Sequence, residues 1–449
     1  MQIIISVNLF IVQSNFYMLP EHLMLVRFIY SFLLFLLAPF FLYGLYKNKT
    51  NKPKFGKRWV EHFGFCPELK DNNTTALWIH TVSVGEVIAA TPLIKALKKQ
   101  QPQQTIVVTT TTSTGAAEVK KLENLVEHRY MPLDFSGSVK RFIKIINPTA
   151  LLIMETELWP NTLHTVHQHK IPIIIINARL SHRSYLRYQK FQFIFDMLAK
   201  NIDQLLCQTE ADAQRFIKLG INKEKIEITG SIKFDISITD QLKTAGTELR
   251  SELGEKRPIW IASSTHQGED ELILKAHQVV LKKVPEALLI IVPRHPERFL
   301  TVTDLAKNNG FNTVSRTSKQ SVCASTSVYI ADTMGEMLTL IGAADICFMG
   351  GSLLGKKVGG HNLLEPAALA KPCLTGDSFY NFQLITEQLI ESGGCIVCPT
   401  ESDLADNLLK LFADETAMRE MGRSALAVVD KNRGALARTL KELSAITAH

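Results

Sequence analysis

Acidic side chains follow apolar runs at two places in the first half of the chain. Glu86 follows the run 77–82 after a short turn of small residues, and Glu155 directly follows the run 150–154. Exposed N–H groups and the helix dipole would keep a carboxylate ionised in the first turn of a helix. An ionised Glu86 can take a proton from a hydroxyl within hydrogen-bond reach. The alternative is that Glu86 only complements the dipole, as first-turn acids commonly do.

A second carboxylate, Glu157, lies two residues beyond Glu155 and just before Pro160. In an extended chain this spacing would put both side chains on one side, but the turn into the following helix breaks the alternation. We therefore expect only one of them, Glu155, to face a ligand. Glu157 would suit the start of the helix that begins near Trp159.

Basic side chains and glycine-containing turns are found where strands of the second half are expected to end. Arg294 lies between Pro293 and Pro296, whose rings would fix the backbone so that the guanidinium presents its rigid fork to a phosphate. Lys233 could also reach a phosphate, and the alternative is a solvated lysine in a linker. Glu365, in the first turn of a helix, could accept two hydrogen bonds from a ribose diol.

Three glycine-containing turns, at 332–336, 350–352 and 359–366, each place Gly beside a helix start. In such turns backbone N–H groups can close on a phosphate. One turn alone would be weak evidence. Together with Arg294 and Glu365 they predict a nucleotide-phosphate pocket facing the sheet edge that carries Glu86.

Short apolar runs that alternate with helical patterns must position these residues. Near-continuous apolar strands separated by helix-length segments indicate parallel sheets covered on both faces, so we predict an α/β protein of two doubly wound domains with a ligand cleft between them. The first half ends near Lys233, and the tail from 402 to about 443 is helical in pattern. The predicted strands are 76–82, 105–111, 150–154, 171–177, 204–208, 258–262, 287–292, 327–331, 345–349, 372–375 and 394–397.

The composition is that of a globular protein, with 46% hydrophobic and 21% charged residues among 449. A net charge of +7 fits an anionic partner or surface and does not demand nucleic acid. The chain contains neither GxGxxG after a strand nor GxxxxGK[ST], which disfavours dinucleotide oxidoreductases and P-loop enzymes. Seven scattered cysteines suit a reducing compartment.

Two further clusters have the spacing of metal or redox sites, and we interpret both as structural. Cys395 and Cys398 lie in a short apolar strand and have no second pair elsewhere. His164, His167 and His169 lack an HExxH-type helix with a base, so they are expected on the surface of a helix and its following turn.

An uncharged run of 19 residues, 28–46, is long enough nearly to span a bilayer core. A basic segment follows it, which by the positive-inside rule predicts that everything after residue 47 is cytoplasmic. A cleaved signal peptide would need its positive charges before the run and a cleavage site after it. The basic residues are Lys47, Lys49, Lys52, Lys54, Lys57 and Arg58.

Two alternatives for the apolar run remain open, namely a buried hairpin of the soluble domain and a monotopic helix kinked at Pro39. Residues 1–17 are not needed for an anchor, so a true start codon at Met18 or Met24 is a further hypothesis.

Long motifs in the right order resemble those of the 3-deoxy-D-manno-oct-2-ulosonic acid (Kdo) transferases, a family of inverting glycosyltransferases of lipid A biosynthesis with the GT-B fold. The resemblance covers nearly everything from the anchor to the C-terminus. The segments are SVGE at 83–86, METELWPN at 154–161, NARLS at 177–181, GSIKFDI at 230–236, PRHPERF at 293–299, DTMGEM at 332–337 and GGHNLLEP at 359–366. A slightly long, basic loop at 355–358 departs from the family pattern.

The resemblance implies a role for each matching residue. Glu86 would be the general base on the acceptor hydroxyl, while Glu155 and Lys233 would stabilise the transition state. It further implies that the CMP of the donor, CMP-Kdo, is held by Pro293, Arg294, Met334, Gly335, Glu336, Asn362, Leu363, Leu364 and Glu365.

The resemblance also implies the domains and partners. Residues 1–50 would form the anchor, 51–236 the acceptor-binding domain, 237–425 the CMP-Kdo-binding domain and 426–449 a C-terminal helix. The acceptor would be an anionic glycolipid, the lipid A precursor, at the cytoplasmic face of a bacterial inner membrane. We predict no cofactor, no obligatory metal and no nucleic-acid partner. Residues that could extend a basic collar toward this acceptor are Arg179, His182, Arg183, Arg187 and Lys190; an ordinary basic surface helix is the alternative.

Two rival functions stay open at this point. A sugar-nucleotide epimerase can have the same two-domain shape, because fold alone does not fix function. A membrane-tethered sugar-nucleotide sensor would need no base, so Glu86→Gln would leave its behaviour unchanged.

Overall fold

The structure, a computed structural model, describes residues 20–47, 53–71 and 74–447. The start-codon hypothesis for Met18, and Lys49 and Lys52 of the basic segment, lie outside the described residues. The chain divides into two compact units, which we call the N-terminal unit (1–232 and 434–449) and the C-terminal unit (233–433).

The N-terminal unit is built on a seven-stranded parallel sheet with strand order β3-β2-β1-β4-β5-β6-β7. Its central strands are buried on both faces because helices cover them, which explains their unbroken apolar sequences. The strands are β1 Ala76–His80, β2 Thr105–Thr110, β3 Glu127–Tyr130, β4 Pro148–Met154, β5 Ile173–Ala178, β6 Gln204–Cys207 and β7 Ile226–Ile228. The helices are α1 Pro20–Tyr46, α2 Val84–Gln100, α3 Ser113–Lys120, α4 Ser136–Ile146, α5 Pro160–Gln168, α6 His182–Lys190, α7 Gln192–Ala199 and α8 Glu210–Lys218.

The C-terminal unit has a second seven-stranded parallel sheet, with order β10-β11-β9-β8-β12-β13-β14. The strands are β8 Ile259–Thr265, β9 Leu288–Pro293, β10 Thr313–Ser315, β11 Val328–Ile330, β12 Ile346–Met349, β13 Cys373–Thr375 and β14 Cys395–Val397. The helices are α9 Asp240–Leu253, α10 Asp270–Leu281, α11 Phe299–Asn308, α12 Met337–Ala343, α13 Leu364–Ala368, α14 Gln383–Glu391, α15 Glu401–Ala413 and α16 Glu415–Asn432. The prediction of two doubly wound α/β folds is confirmed.

The C-terminal tail returns to the N-terminal unit as α17, Ala435–Thr447. Gly434 has φ +88°, a left-handed conformation that glycine adopts readily, and it ends the run of α16. Leu443 packs into the apolar cluster under α2, and Arg438 Nε donates to the Thr229 carbonyl at 2.8 Å. The predicted boundary at 425/426 therefore falls inside α16, and the helix predicted over 426–449 is divided at Gly434.

Three strands were missed by the sequence prediction: β3, β7 and β10. All three lie at sheet edges. An edge strand is covered less completely, so it can be short and polar, as in Glu127-His128-Arg129-Tyr130, and it lacks the continuous apolar run that marks a buried strand.

Each sheet has a point where successive strands change from one side to the other. In the N-terminal unit this switch lies between β1 and β4, and in the C-terminal unit it lies between β8 and β12. In register, His80 of β1 pairs with Ile153 of β4. Ligands of open α/β sheets bind beyond the carboxyl ends of strands at such switch points.

Helix α1 is one continuous helix, so the buried-hairpin alternative is wrong. Pro39 lies inside it. By length and composition its stretch Met24–Tyr46 could cross a membrane, with a mean hydropathy of 2.2.

Candidate active site

Glu86 lies in the first turn of α2, directly beyond the carboxyl end of β1. Ser83 caps this helix, and the Glu86 carboxylate accepts hydrogen bonds from the Val82 N–H at 2.8 Å and from the Ser83 hydroxyl at 3.0 Å. Only 8% of Glu86 is exposed. Both carboxylate oxygens are thus held by the backbone turn and its cap, which fixes where a proton would be accepted.

Burial raises the pKa of Glu86 to about 7, and hydrogen bonds from Val82 and Ser83 oppose this shift. The negative charges of Glu155 and, to a smaller extent, Glu157 raise the pKa further. A general base works best when its pKa lies near the operating pH. A carboxylate that served only the helix dipole would be stabilised in its ionised form, whereas Glu86 is held in a place where ionisation is costly.

Glu155 follows β4, the strand next to β1 across the switch point. Its backbone has φ +60°, which is uncommon for a residue with a side chain, and its N–H donates to the Ile176 carbonyl at 2.9 Å. This conformation breaks the strand alternation immediately after Met154. Glu157 instead hydrogen-bonds with Trp159, next to the start of α5. Of the two carboxylates, Glu155 acts more strongly on the pKa of Glu86.

Lys233 lies in a short 3₁₀ helix, Ile232–Phe234, and is the first residue of the C-terminal unit. The preceding residues are fixed to the N-terminal unit, since the Ile232 N–H donates to the Asn177 carboxamide oxygen at 3.2 Å. Lys233 is half-buried.

In the C-terminal unit, a cluster of side chains forms at the carboxyl ends of β8 and β9. Arg294 follows Pro293, the last residue of β9, and its side chain is exposed. The positive charge of Arg294 lowers the pKa values of His266, His361 and Glu365, although burial is the larger influence on each. A guanidinium, two imidazoles and a carboxylate therefore share one edge of the sheet.

The two imidazoles of this cluster contact each other directly. The Nε2 atoms of His266 and His361 are 2.8 Å apart, so one ring donates to the other. Burial lowers the pKa of each to about 4, and both are neutral at pH 7. His295 lies beside His266, with ring centroids 5.4 Å apart.

The segment Asn362 to Glu365 contributes to this edge unequally. Leu363 and Leu364 are buried in the hydrophobic core, 1% and 0% exposed, because α13 packs against the sheet. Their implied contact with a nucleotide is therefore limited to backbone atoms. The Asn362 side-chain oxygen accepts from the Leu364 N–H at 3.1 Å. Burial raises the pKa of Glu365.

The turn Met334 to Glu336 presents an exposed methionine and a paired carboxylate. Gly335 has φ +86°, and Met334 is 60% exposed. Both Glu336 oxygens accept from Arg316, at 2.8 and 2.7 Å, and this hydrogen bonding lowers the pKa of Glu336. Both carboxylate oxygens of Glu336 are therefore already paired with a guanidinium of the same unit.

The prediction for the glycine turn at 350–352 is wrong. Its N–H groups donate to an internal carboxylate, that of Glu269, which is fully buried. Glu269 accepts from the N–H groups of Gly351 at 2.7 Å, Ser352 at 3.0 Å, Leu353 at 3.1 Å and His266 at 3.2 Å. The anion that fills this turn is part of the chain, so these groups are not available to a phosphate.

Sequence reasoning missed His266 and Glu269, and the reason is local. The predicted strand ended at residue 262, whereas β8 continues to Thr265. The rule that ligand-binding side chains follow strand ends would have pointed to His266 had the strand been extended.

The remaining candidates have the surroundings of structural residues. Cys395 and Cys398 are both buried, and burial raises the pKa of the Cys398 thiol to about 12. His164 and His167 lie in α5, and His169 follows its end. The basic loop of 355–358 forms a short 3₁₀ helix, Gly355–Lys357, and its Lys356 carbonyl accepts from the Tyr380 hydroxyl at 3.1 Å.

Comparisons with known proteins agree with this architecture. Residues 57–236 match the family described as 3-deoxy-D-manno-octulosonic-acid transferase (kdotransferase). A 3-deoxy-D-manno-octulosonic acid transferase from Haemophilus influenzae is 40% identical over 92% of this chain and 97% of that protein. One from Bordetella pertussis is 31% identical over 82% of this chain and 86% of its own length. A UDP-GlcNAc 2-epimerase from Neisseria meningitidis shares only the fold, with 14% identity, 82% of this chain and 100% of that chain covered, and a TM-score of 0.52.

Two doubly wound units, with carboxylates at the switch point of the first and a basic, polar strand edge in the second, have the architecture of the GT-B class. The sequence identity to the Haemophilus influenzae transferase identifies the family within this class, because it is 40% over nearly the full length of both chains. The chain belongs to the 3-deoxy-D-manno-octulosonic acid transferase family.

Proposed function

We propose that this Kdo transferase uses CMP-Kdo to glycosylate an anionic lipid A precursor with inversion, and that Glu86 is its general base. The observation that carries the proposal is the Glu86 carboxylate, buried beyond β1 with a pKa raised to about 7. Glu86 takes the proton of an acceptor hydroxyl as the oxygen forms a bond to the anomeric carbon of Kdo. The bond from that carbon to the phosphate oxygen breaks, and CMP leaves with the electron pair.

The leaving group needs charge stabilisation and no proton, because CMP departs as a stable anion. Arg294 and Lys233 would supply positive charge to its phosphate, as preorganised electrostatic groups do in other transfer reactions. Glu155 would stabilise positive charge that develops on the sugar, a role that carboxylates have in glycoside hydrolysis. Pro293, Met334 to Glu336, and Asn362 to Glu365 would hold the nucleotide, with Leu363 and Leu364 contributing backbone atoms. A single phosphodiester carries little charge, so the reaction is proposed to need no metal.

The acceptor is proposed to reach the N-terminal unit from the cytoplasmic face of the inner membrane. Support comes from the apolar helix α1 and from α6, whose basic side chains His182, Arg183, Arg187 and Lys190 are exposed. These cations could bind the phosphates of a lipid A precursor.

The test is to incubate membranes containing the protein with CMP-Kdo and tetra-acylated lipid A precursor and to measure added Kdo by mass spectrometry. Wild type should add Kdo, and Glu86→Gln should lower the rate by about 10²–10⁴-fold, the usual contribution of a general base. Glu210→Gln is a matched control because Glu210 is also a first-turn acid of the same unit but is exposed. It should transfer normally.

Three results would count against the proposal. Transfer of no Kdo by wild type would refute the acceptor or donor assignment, and normal transfer by Glu86→Gln would refute the base. Turnover of UDP-GlcNAc without lipid would favour the epimerase alternative.

A further inference from the structure

Helix α1 has two faces of different exposure. Its exposed large side chains recur every three or four positions, and we call them the apolar stripe: Met24, Leu25, Phe28, Ile29, Phe32, Phe35, Leu36, Phe40, Phe41 and Tyr43. Side chains of the opposite face, such as Tyr30, Leu33, Leu34 and Leu37, are half-buried. This second face packs against α5 and α7 of the N-terminal unit. The helix thus lies along that unit.

Polar contacts hold α1 to the unit at two well-separated levels. Toward the middle of the helix, the Ser31 hydroxyl accepts from the Asn161 carboxamide at 2.9 Å, and the Tyr30 hydroxyl donates to the Asp134 carboxylate. At the end of the helix, the Tyr46 hydroxyl and His62 Nδ1 are 2.8 Å apart. The axial rise between Ser31 and Tyr46 is about 22 Å, so the attachment extends over the C-terminal half of the helix.

This attachment leaves too little of α1 to cross a bilayer. The hydrocarbon core is about 30 Å thick, and a helix needs roughly 20 residues to span it. Only residues 20–29 precede the first contact, and they extend about 15 Å. An upright α1 would carry the polar groups around Asp134 and Asn161 into hydrocarbon, or it would leave the buried Asp134 without its Tyr30 partner. Either outcome is unfavourable.

We propose that α1 does not span the membrane but lies parallel to its plane, with the apolar stripe inserted into one leaflet. The stripe is free of charge, while Arg27 lies near one end of it and Lys47 at the other. Lys57 and Trp59 are exposed, and the Tyr46 hydroxyl at the end of α1 donates to the Trp59 carbonyl at 3.4 Å. Aromatic and basic side chains at the margin of an apolar surface are typical of helices that lie in the interface of anionic bilayers.

The same geometry brings a basic helix toward the lipid headgroups. Helix α7 packs against both α1 and α6. The exposed cations of α6 therefore belong to a helix that is separated from α1 by α7 alone, and we expect them to meet anionic headgroups at the membrane surface. This proposal rests on the proposed function only in assuming that a membrane is present. It adds how deeply α1 is inserted into that membrane and in which orientation.

Spin-label depth measurements test this orientation. Single cysteines are placed in the full-length chain at five stripe positions, in a background carrying Cys66→Ser and Cys323→Ser, because the other five thiols are buried. The protein is reconstituted into vesicles of phosphatidylethanolamine and phosphatidylglycerol, and immersion depth is measured from collisions with oxygen and a nickel chelate. The positions are Phe28, Phe32, Phe35, Phe40 and Tyr43. Asp240→Cys in α9 is the aqueous control, since its side chain is almost fully exposed.

We expect all five labels to lie at the same depth to within a few ångströms, and the control label to remain in water. A depth that increases to a maximum near Phe35 and decreases toward both ends would show a spanning helix and overturn the proposal. Spin–spin broadening between stripe labels of two molecules, with none of these labels in contact with lipid, would also overturn the proposal. A second copy of the chain would then cover the stripe.

Kdo transfer measured on the same vesicles separates this proposal from the proposed function. Equal depths without transfer would leave the orientation standing and refute the function. Transfer of Kdo together with the depth profile of a spanning helix would support the proposed function and refute the orientation.

Discussion

The buried position of Glu86 predicts a specific pH dependence of Kdo transfer. Because burial raises its pKa to about 7, only about half of the molecules carry the ionised base at pH 7. Below that pH the ionised fraction decreases tenfold per unit, to about 10% at pH 6 and about 1% at pH 5. We expect kcat/KM to increase by about tenfold from pH 6 to pH 8 and then to level off, because kcat/KM reports groups of the free enzyme.

The same shift predicts how stability depends on pH. The folded pKa of Glu86 is raised from 4.5, so the fold favours the protonated form. This contribution is fully present below pH 4.5 and is lost as the pH rises through about 7. A shift of that size corresponds to at most about 3 kcal/mol. Glu86→Gln cannot ionise, so relative to wild type it should gain thermal stability between pH 5 and pH 8 while losing activity at every pH.

The assay compares both quantities in one buffer series. Initial rates of Kdo transfer at limiting acceptor give the activity profile, and thermal unfolding followed by circular dichroism gives the stability profile. Glu210→Gln should follow wild type in both. A wild-type rate that stays constant from pH 5.5 to pH 8, together with a Glu86→Gln stability that does not change relative to wild type, would refute the reasoning.

Two substitutions and one treatment with a chelator have further expected outcomes. Glu155→Gln removes a charge that raises the pKa of Glu86, so the pH profile of Kdo transfer should shift to lower pH while the maximal rate decreases. A pH profile that does not shift would show that Glu155 does not influence the ionisation of Glu86. Glu269→Ala leaves four backbone N–H groups without their acceptor and should destabilise the C-terminal unit by more than about 3 kcal/mol in urea unfolding. Glu269→Gln should lose less stability. Equal stability of wild type and Glu269→Ala would contradict this structural role of Glu269. Dialysis against EDTA should leave the initial rate of transfer unchanged, and recovery of a lost rate by added Mg²⁺ would show that a metal is needed.

Residues at strand ends were the most predictable part of the site. Glu86 and Glu155 are 69 positions apart in the sequence, but Glu155 directly follows, and Glu86 follows after a short turn, an apolar run that forms a central strand. Central strands are buried on both faces, so their composition identifies them. The adjacency of β1 and β4 is a property of the doubly wound topology, and it brings the carboxylates to the same switch point.

What the sequence could not show is which groups are already satisfied within the chain. The turn at 350–352 has the composition of a phosphate-binding loop, yet Glu269 fills it from the start of α10. A Cβ on Gly350 would lie 2.8 Å from Glu269 Oε2 and 2.9 Å from the Ser263 carbonyl, so this glycine makes room for an internal carboxylate. Glu336 similarly looks available in sequence but is paired with Arg316, twenty residues before it.

The carboxylates of Glu269 and Glu86 differ in how many hydrogen bonds they accept. Burial raises the pKa of Glu269, and four backbone N–H groups that donate to its carboxylate oppose this rise. Its oxygens are occupied by these internal donors, so Glu269 has a structural role. Glu86 receives one backbone N–H and one hydroxyl, and two other carboxylates raise its pKa. Its ionised form is therefore under-stabilised in the folded protein. A carboxylate that gains by accepting a proton near neutral pH is suited to deprotonate an alcohol, whereas one as fully bonded as Glu269 is not.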